Sequence, residues 1–95
     1  KKQLMLEAIE NGARVIDVRT PGEFKSGNVK GSINIPLDKL NDASIKKIKK
    51  LNAPILVCCA SGMRSASAAS ILKQNGIKDV FNGGSWFKVE GLMQN

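Results

Sequence analysis

Short apolar runs alternate with segments of helical periodicity along the chain. Lys2 to Glu10 places Leu4, Met5, Ala8 and Ile9 on one side and predicts a helix that stops at Gly12. Val15-Ile16-Asp17-Val18 predicts a short strand, ended by the turn signal Thr20-Pro21-Gly22, with a brief helical turn through Glu23 to Lys25 before Gly27. Ser32 to Ile35 predicts a second strand, closed by Pro36. Asp42 to Leu51 spaces Ile45, Ile48 and Leu51 at helical intervals, with Asp42 or Ser44 as its cap, and Pro54 breaks it. Ile55-Leu56-Val57-Cys58 is the most continuously apolar run, the pattern of a central strand buried on both faces. A helix of small residues from Ser65 to Gln74, with Gly76 as its terminating glycine, precedes a last strand, Asp79 to Phe81, and then Asn82-Gly83-Gly84-Ser85-Trp86. This alternation predicts an α/β domain with a mainly parallel sheet. No internal repeat, low-complexity tract or linker interrupts it, so residues 1–95 are expected to form one domain.

Composition narrows the function classes. At 42% hydrophobic residues the chain has ordinary globular usage, which argues against disorder. Aromatics are 4%, too few for a platform that stacks single-stranded bases. No apolar run approaches the roughly 20 residues needed to cross a bilayer, so no membrane partner is expected. No signal segment is visible. A cytoplasmic location is expected; a periplasmic one would follow if a leader had been removed upstream of Lys1.

The net charge is +7, from 15 Lys+Arg against 8 Asp+Glu. Such a balance suits either nucleic acid or a small anionic substrate. Much of the excess lies in Lys46, Lys47, Lys49 and Lys50, interleaved with Ile45, Ile48 and Leu51, which describes the solvated face of an amphipathic helix. Nucleic acid is therefore not expected as a partner. There are two cysteines, adjacent at Cys58 and Cys59, and no histidine. Adjacent cysteines make a strained disulfide, and one such pair without histidine offers too few ligands for a zinc site. The missing histidine also removes Cys–His and Ser–His–Asp chemistry. A nucleophile here must be activated by other means.

The chemistry-bearing stretch is Cys59-Ala60-Ser61-Gly62-Met63-Arg64-Ser65, set between a strand and a helix. Ligand sites in open α/β sheets form where strands end and helices begin. A loop of small residues there lets backbone N–H groups converge, and the following helix adds its unpaired N–H groups and positive dipole end. A cysteine at the base of that cradle has its thiolate stabilised without histidine. The same N–H groups suit the terminal sulfur of a persulfide or an anionic substrate, and Arg64 is the natural clamp on an anion. Cys58, one residue back, falls on the opposite face of its strand and reads as core.

In order and spacing, Ile16-Asp17-Val18-Arg19-Thr20-Pro21-Gly22-Glu23-Phe24, then Gly27 to Pro36, then Cys59 to Ser65, resembles the rhodanese family, and Asn82-Gly83-Gly84 resembles its closing glycine motif. The resemblance runs from about Ala13 to Gly91. It implies a five-stranded, mainly parallel sheet with helices on both faces. It implies a sulfurtransferase in which Cys59 carries sulfur as a covalent persulfide, with no separate cofactor. The implied partners are a small anionic donor such as thiosulfate and a thiophilic acceptor, cyanide or a thiol, including a protein thiol. Substrate contacts fall to Arg64, Ala60, Ser61, Gly62, Met63 and Ser65, while Asp17 and Arg19 brace the cradle. Two positions depart from the family. Asn28 stands where histidine is frequent, at a position not usually catalytic. Ala60 stands where an arginine or another polar residue is frequent, which removes a contact to the donor. Trp86 is expected to pack near the rim, and a monomer is expected.

Two alternatives compete. A cysteine phosphatase or arsenate reductase uses the same cradle but spaces Cys and Arg by five residues, whereas only Ala60, Ser61, Gly62 and Met63 intervene here. A non-catalytic binding module of the same fold would lack the cysteine, which is present.

Overall fold

The computed structural model describes residues 2–94. The elements run α1 (Lys2–Glu10), β1 (Arg14–Asp17), α2 (Pro21–Ser26), β2 (Ile33–Asn34), a single 3-10 turn (Leu37–Lys39), α3 (Asp42–Lys50), β3 (Ile55–Cys59), α4 (Met63–Gln74), β4 (Val80–Ser85) and α5 (Trp86–Met93). The strands form one sheet in the order β2-β1-β3-β4, and every neighbouring pair is parallel. The fold is thus α/β, but the described residues form four strands rather than five. β2 has only two residues, with Pro36 following it at the start of the 3-10 turn.

Alternation along β3 divides the interior. Ile55, Val57 and Cys59 face one cluster, with Ile45 and Ile48 of α3 and Ala68, Ala69 and Leu72 of α4. Leu56 and Cys58 face the other, with Met5 of α1, Val29 and Val89 of α5. All five β3 residues are buried, because a strand between two neighbours and two helical layers has no solvent face.

Local chemistry explains where several boundaries differ from the sequence expectation. The Thr20-Pro21-Gly22 signal opens a helix rather than a turn. Thr20 caps α2 in a reciprocal box with Glu23, and Pro21 occupies a first-turn position where no N–H is required. α3 is capped by Asn41, with Ser44 as its partner three residues on, not by Asp42 or Ser44. β4 continues past Phe81 through both glycines because β3 supplies backbone partners. Its register slips by one residue, with Val57 opposite Asn82 but Cys58 opposite Gly84. Gly83 is the extra residue of that bulge. A side chain there would place its Cβ 2.5 Å from a Val89 methyl and 3.0 Å from the Val57 carbonyl oxygen. α5 follows at once, capped by Ser85 Oγ, which accepts the Lys88 N–H.

The chain goes from β1 outward to β2, then crosses back to β3 and outward to β4. The strand order therefore reverses between β1 and β3. Ligand crevices open beyond the carboxyl ends of strands at such a switch point. Here those ends carry Asp17 and Cys59.

Candidate active site

Cys59 ends β3 with no solvent-accessible surface. Its Sγ accepts the N–H of Gly62 at 3.0 Å and of Ser65 at 3.4 Å, and lies 3.5 Å from Ser65 Oγ. Gly62 makes this turn, with φ of 101°, the left-handed region where an L side chain is strained. α4 has no side-chain cap at Gly62 and no acidic residue in its first turn. The sulfur takes the place of that cap. Burial by itself pushes the Cys59 thiol up; the Ser65 hydroxyl and the N–H groups of Ser65, Gly62 and Ser61 outweigh it, and the net shift is downward. Helix geometry also leaves the N–H groups of Met63 and Arg64 without intrahelical acceptors.

Cys58 behaves oppositely. Burial, reinforced by the charge of Asp17, pushes its thiol up to about 12, so it remains a neutral core side chain. Asp17 and Arg19 form a buried pair. Arg19 Nε lies 2.9 and 3.0 Å from the two carboxylate oxygens, and Nη2 lies 2.7 Å from Oδ2. The same guanidinium donates to the carbonyls of Glu23 at 3.3 Å and Gly27 at 2.7 Å, and packs 4.8 Å from the centre of the Trp86 ring. It thereby ties β1, both ends of α2 and the start of α5 together. Gly27 is where Trp86 closes in, since a Cβ there would stand 3.0 Å from the indole edge. Asn28 Nδ2 donates to the Phe24 carbonyl at 2.8 Å, a helix-closing role at the position where histidine is frequent in the family.

Arg64 lies on a protein carboxylate. Its Nη1 and Nη2 donate to Glu23 Oε1 and Oε2 at 2.7 and 2.9 Å. Glu23 Oε1 also accepts the Thr20 N–H at 3.0 Å. Arg64 first, then Thr20, holds the Glu23 carboxyl down to about 2. Ala60 and Ser61 are exposed, and Met63, 78% exposed, projects from the loop; Phe87, 68% exposed, stacks on Trp86 at 4.1 Å.

Two residues outside the sequence-derived set belong to the arrangement. One is Glu23, placed against Arg64. The other is Asn82, whose Oδ1 lies 2.6 Å from Ser65 Oγ and whose Nδ2 lies 3.3 Å from the Gly62 carbonyl. Register was the available signal: Asn82 stands opposite Val57, which shares a strand face with Cys59. Among the described residues, no cluster of three or more His, Cys, Asp or Glu side chains is disposed to hold a metal ion.

Comparison with known proteins adds the lineage. Residues 2–89 match the sequence profile of the Rhodanese-like domain. The chain belongs to the rhodanese-like domain family. Thiosulfate sulfurtransferase GlpE of Pseudomonas aeruginosa is 40% identical to this rhodanese-like chain over 73 residues, covering 77% of the chain and 64% of GlpE. Protein YqhL of Bacillus subtilis is 37% identical over 79 residues, covering 83% of the chain and 61% of that protein. Alignment to these relatives thus spans a little over three-fifths of their length. Among solved structures, a rhodanese with anions from E. coli superposes with a TM-score of 0.73 at 31% identity, covering 81% of this chain and 91% of that one. The rhodanese-like fold is shared closely even though the described residues hold one strand fewer than the family resemblance implied.

Proposed function

We propose that this rhodanese-like chain is a sulfurtransferase that carries sulfane sulfur on Cys59. The observation that carries the reading is the capping of α4 by Cys59 Sγ, which favours thiolate in a protein with no histidine. The thiolate attacks the outer sulfur of thiosulfate. A new S–S bond forms, the S–S bond of the donor breaks, and sulfite leaves with the electron pair. The terminal persulfide sulfur takes up the negative charge within reach of the loop and helix N–H groups. Cyanide, or a thiolate on a small molecule or protein, then attacks that sulfur and regenerates the Cys59 thiolate. The persulfide is the only carrier required.

Names of relatives support the donor: GlpE of P. aeruginosa and PspE of E. coli are both called thiosulfate sulfurtransferases. The test is mass spectrometry after exposure to thiosulfate. One added sulfur atom is expected on the peptide containing Cys59, removable by cyanide, kept in Cys58→Ser and lost in Cys59→Ser. Loading that survives Cys59→Ser, or is lost only in Cys58→Ser, overturns the reading.

A further inference from the structure

We infer that Glu23 sets the donor preference of this site, disfavouring doubly charged donors such as thiosulfate and favouring an organic persulfide. The inference rests on the sulfur-transfer reading above and concerns which donor loads Cys59. Arg64, the cation placed to meet a donor anion, is already engaged through both terminal nitrogens by Glu23. The carboxylate is not a passing neighbour. Its Oε1 also takes the Thr20 N–H and the Thr20 hydroxyl, at 3.0 and 3.1 Å, so the start of α2 aims it. A dianion must either displace this carboxylate from Arg64 or bind beside it, and both routes set like charges close together.

The rest of the mouth offers little compensation. Ala60 follows the nucleophile with a methyl group, and Met63, in the same loop, has a side chain that stands largely in solvent. An organic persulfide makes no demand on Arg64. Its terminal sulfur enters the N–H ring, and its carbon portion meets the thioether of Met63. The Cys59 thiolate attacks that terminal sulfur, the new S–S bond forms, and the bond to the inner sulfur breaks. The inner sulfur leaves as a thiolate with the electron pair, and the proton of the terminal S–H stays on the transferred sulfur until solvent takes it.

Glu23→Gln tests this directly. Glutamine keeps the oxygen that accepts from Thr20, removes the charge, and puts an NH2 donor where Oε2 accepts from Arg64 Nη2, which frees that nitrogen for a donor anion. Steady-state kinetics with thiosulfate and with 2-hydroxyethyl persulfide are compared in wild type and variant, with melting curves to establish folding. The expected result is a thiosulfate KM lowered about fivefold at nearly constant kcat, with kcat/KM for hydroxyethyl persulfide changed by less than about twofold. A thiosulfate KM that is unchanged or raised in the folded variant, or an equal gain with both donors, overturns the inference. If the variant does not fold, wild-type selectivity decides: kcat/KM at least about tenfold higher for hydroxyethyl persulfide supports it, and any smaller ratio overturns it. If neither donor places sulfur on Cys59, the sulfur-transfer reading itself fails. If both load it and Glu23→Gln leaves their ratio unchanged, only the donor inference fails.

Discussion

Asn82 Oδ1 lies 2.6 Å from Ser65 Oγ, so a strand residue competes with Cys59 for the proton of the hydroxyl nearest the sulfur. That hydroxyl has one proton and three acceptors within reach: Asn82, the Gly62 carbonyl at 3.1 Å, and Sγ at 3.5 Å. With Cys59 as a thiol, Ser65 donates to Asn82 and accepts from the sulfur. With Cys59 as a thiolate, the hydroxyl turns to the sulfur, and Asn82 Oδ1 keeps the Gly84 N–H at 3.0 Å. Two substitutions should therefore act in opposite directions. The pH midpoint of alkylation should lie below the ordinary cysteine value of about 8.5 in the wild type. Ser65→Ala should move it up, and Asn82→Ala should move it down. Shifts of the same sign in both variants would refute the competition.

Arg64→Ala leaves Glu23 unpaired beside the mouth while removing the cation a donor anion would use. The KM for thiosulfate should rise by about tenfold or more, with a smaller fall in kcat. Added salt should lower wild-type kcat/KM, because attraction beyond about 8–10 Å is screened at physiological ionic strength. Steady-state kinetics at two salt concentrations check both outcomes.

Cys58 makes stability fall in alkali. Its thiol is pushed from 9.0 to about 12 in the folded chain by burial and then by Asp17. Between those values the unfolded chain has lost a proton that the folded chain keeps, so stability decreases as pH rises above about 9. Urea midpoints at pH 8 and pH 10.5 should diverge in the wild type and lie closer together in Cys58→Ala. That variant should start about 1 kcal/mol lower because of the small cavity it opens.

The bulge glycine predicts a contrast within one residue type. At Gly83 a Cβ would strike Val89 and the Val57 carbonyl, so Gly83→Ala should destabilise by roughly 1–3 kcal/mol. At Gly22, in the first turn of α2, nothing lies within 4 Å of an added Cβ, so Gly22→Ala should be neutral or stabilising by up to about 1 kcal/mol. Thermal melts of the two variants check the contrast.

The order of strands and helices was legible wherever burial imposes a period. Ile55 to Cys58 had the continuous apolar run that suits a buried strand, and the spacing of Ile45 and Ile48 turned one helical face inward. α5 escaped notice because it is short and its inward stripe is only Trp86, Val89 and Leu92, of which Val89 alone is fully buried. The Asn82–Ser85 end of β4 escaped because two glycines are poor strand formers; β3 makes them a strand by pairing with them.

For the site, sequence alone determined what is local: a cysteine at a strand end, a loop of small residues, a helix start, and the absence of histidine, which together specify a sulfur held by backbone N–H groups. Tertiary structure decided what is distant. Asn82 meets Ser65 across 17 residues and Glu23 meets Arg64 across 41. Neither meeting is written in any short spacing. Both depend on a parallel sheet carrying its strand ends to one edge; the first sits beside the one-residue slip at Gly83, and the second on a threonine cap that aims a glutamate. Backbone geometry follows from neighbours along the chain, whereas the charge beside the sulfur follows from neighbours across the fold.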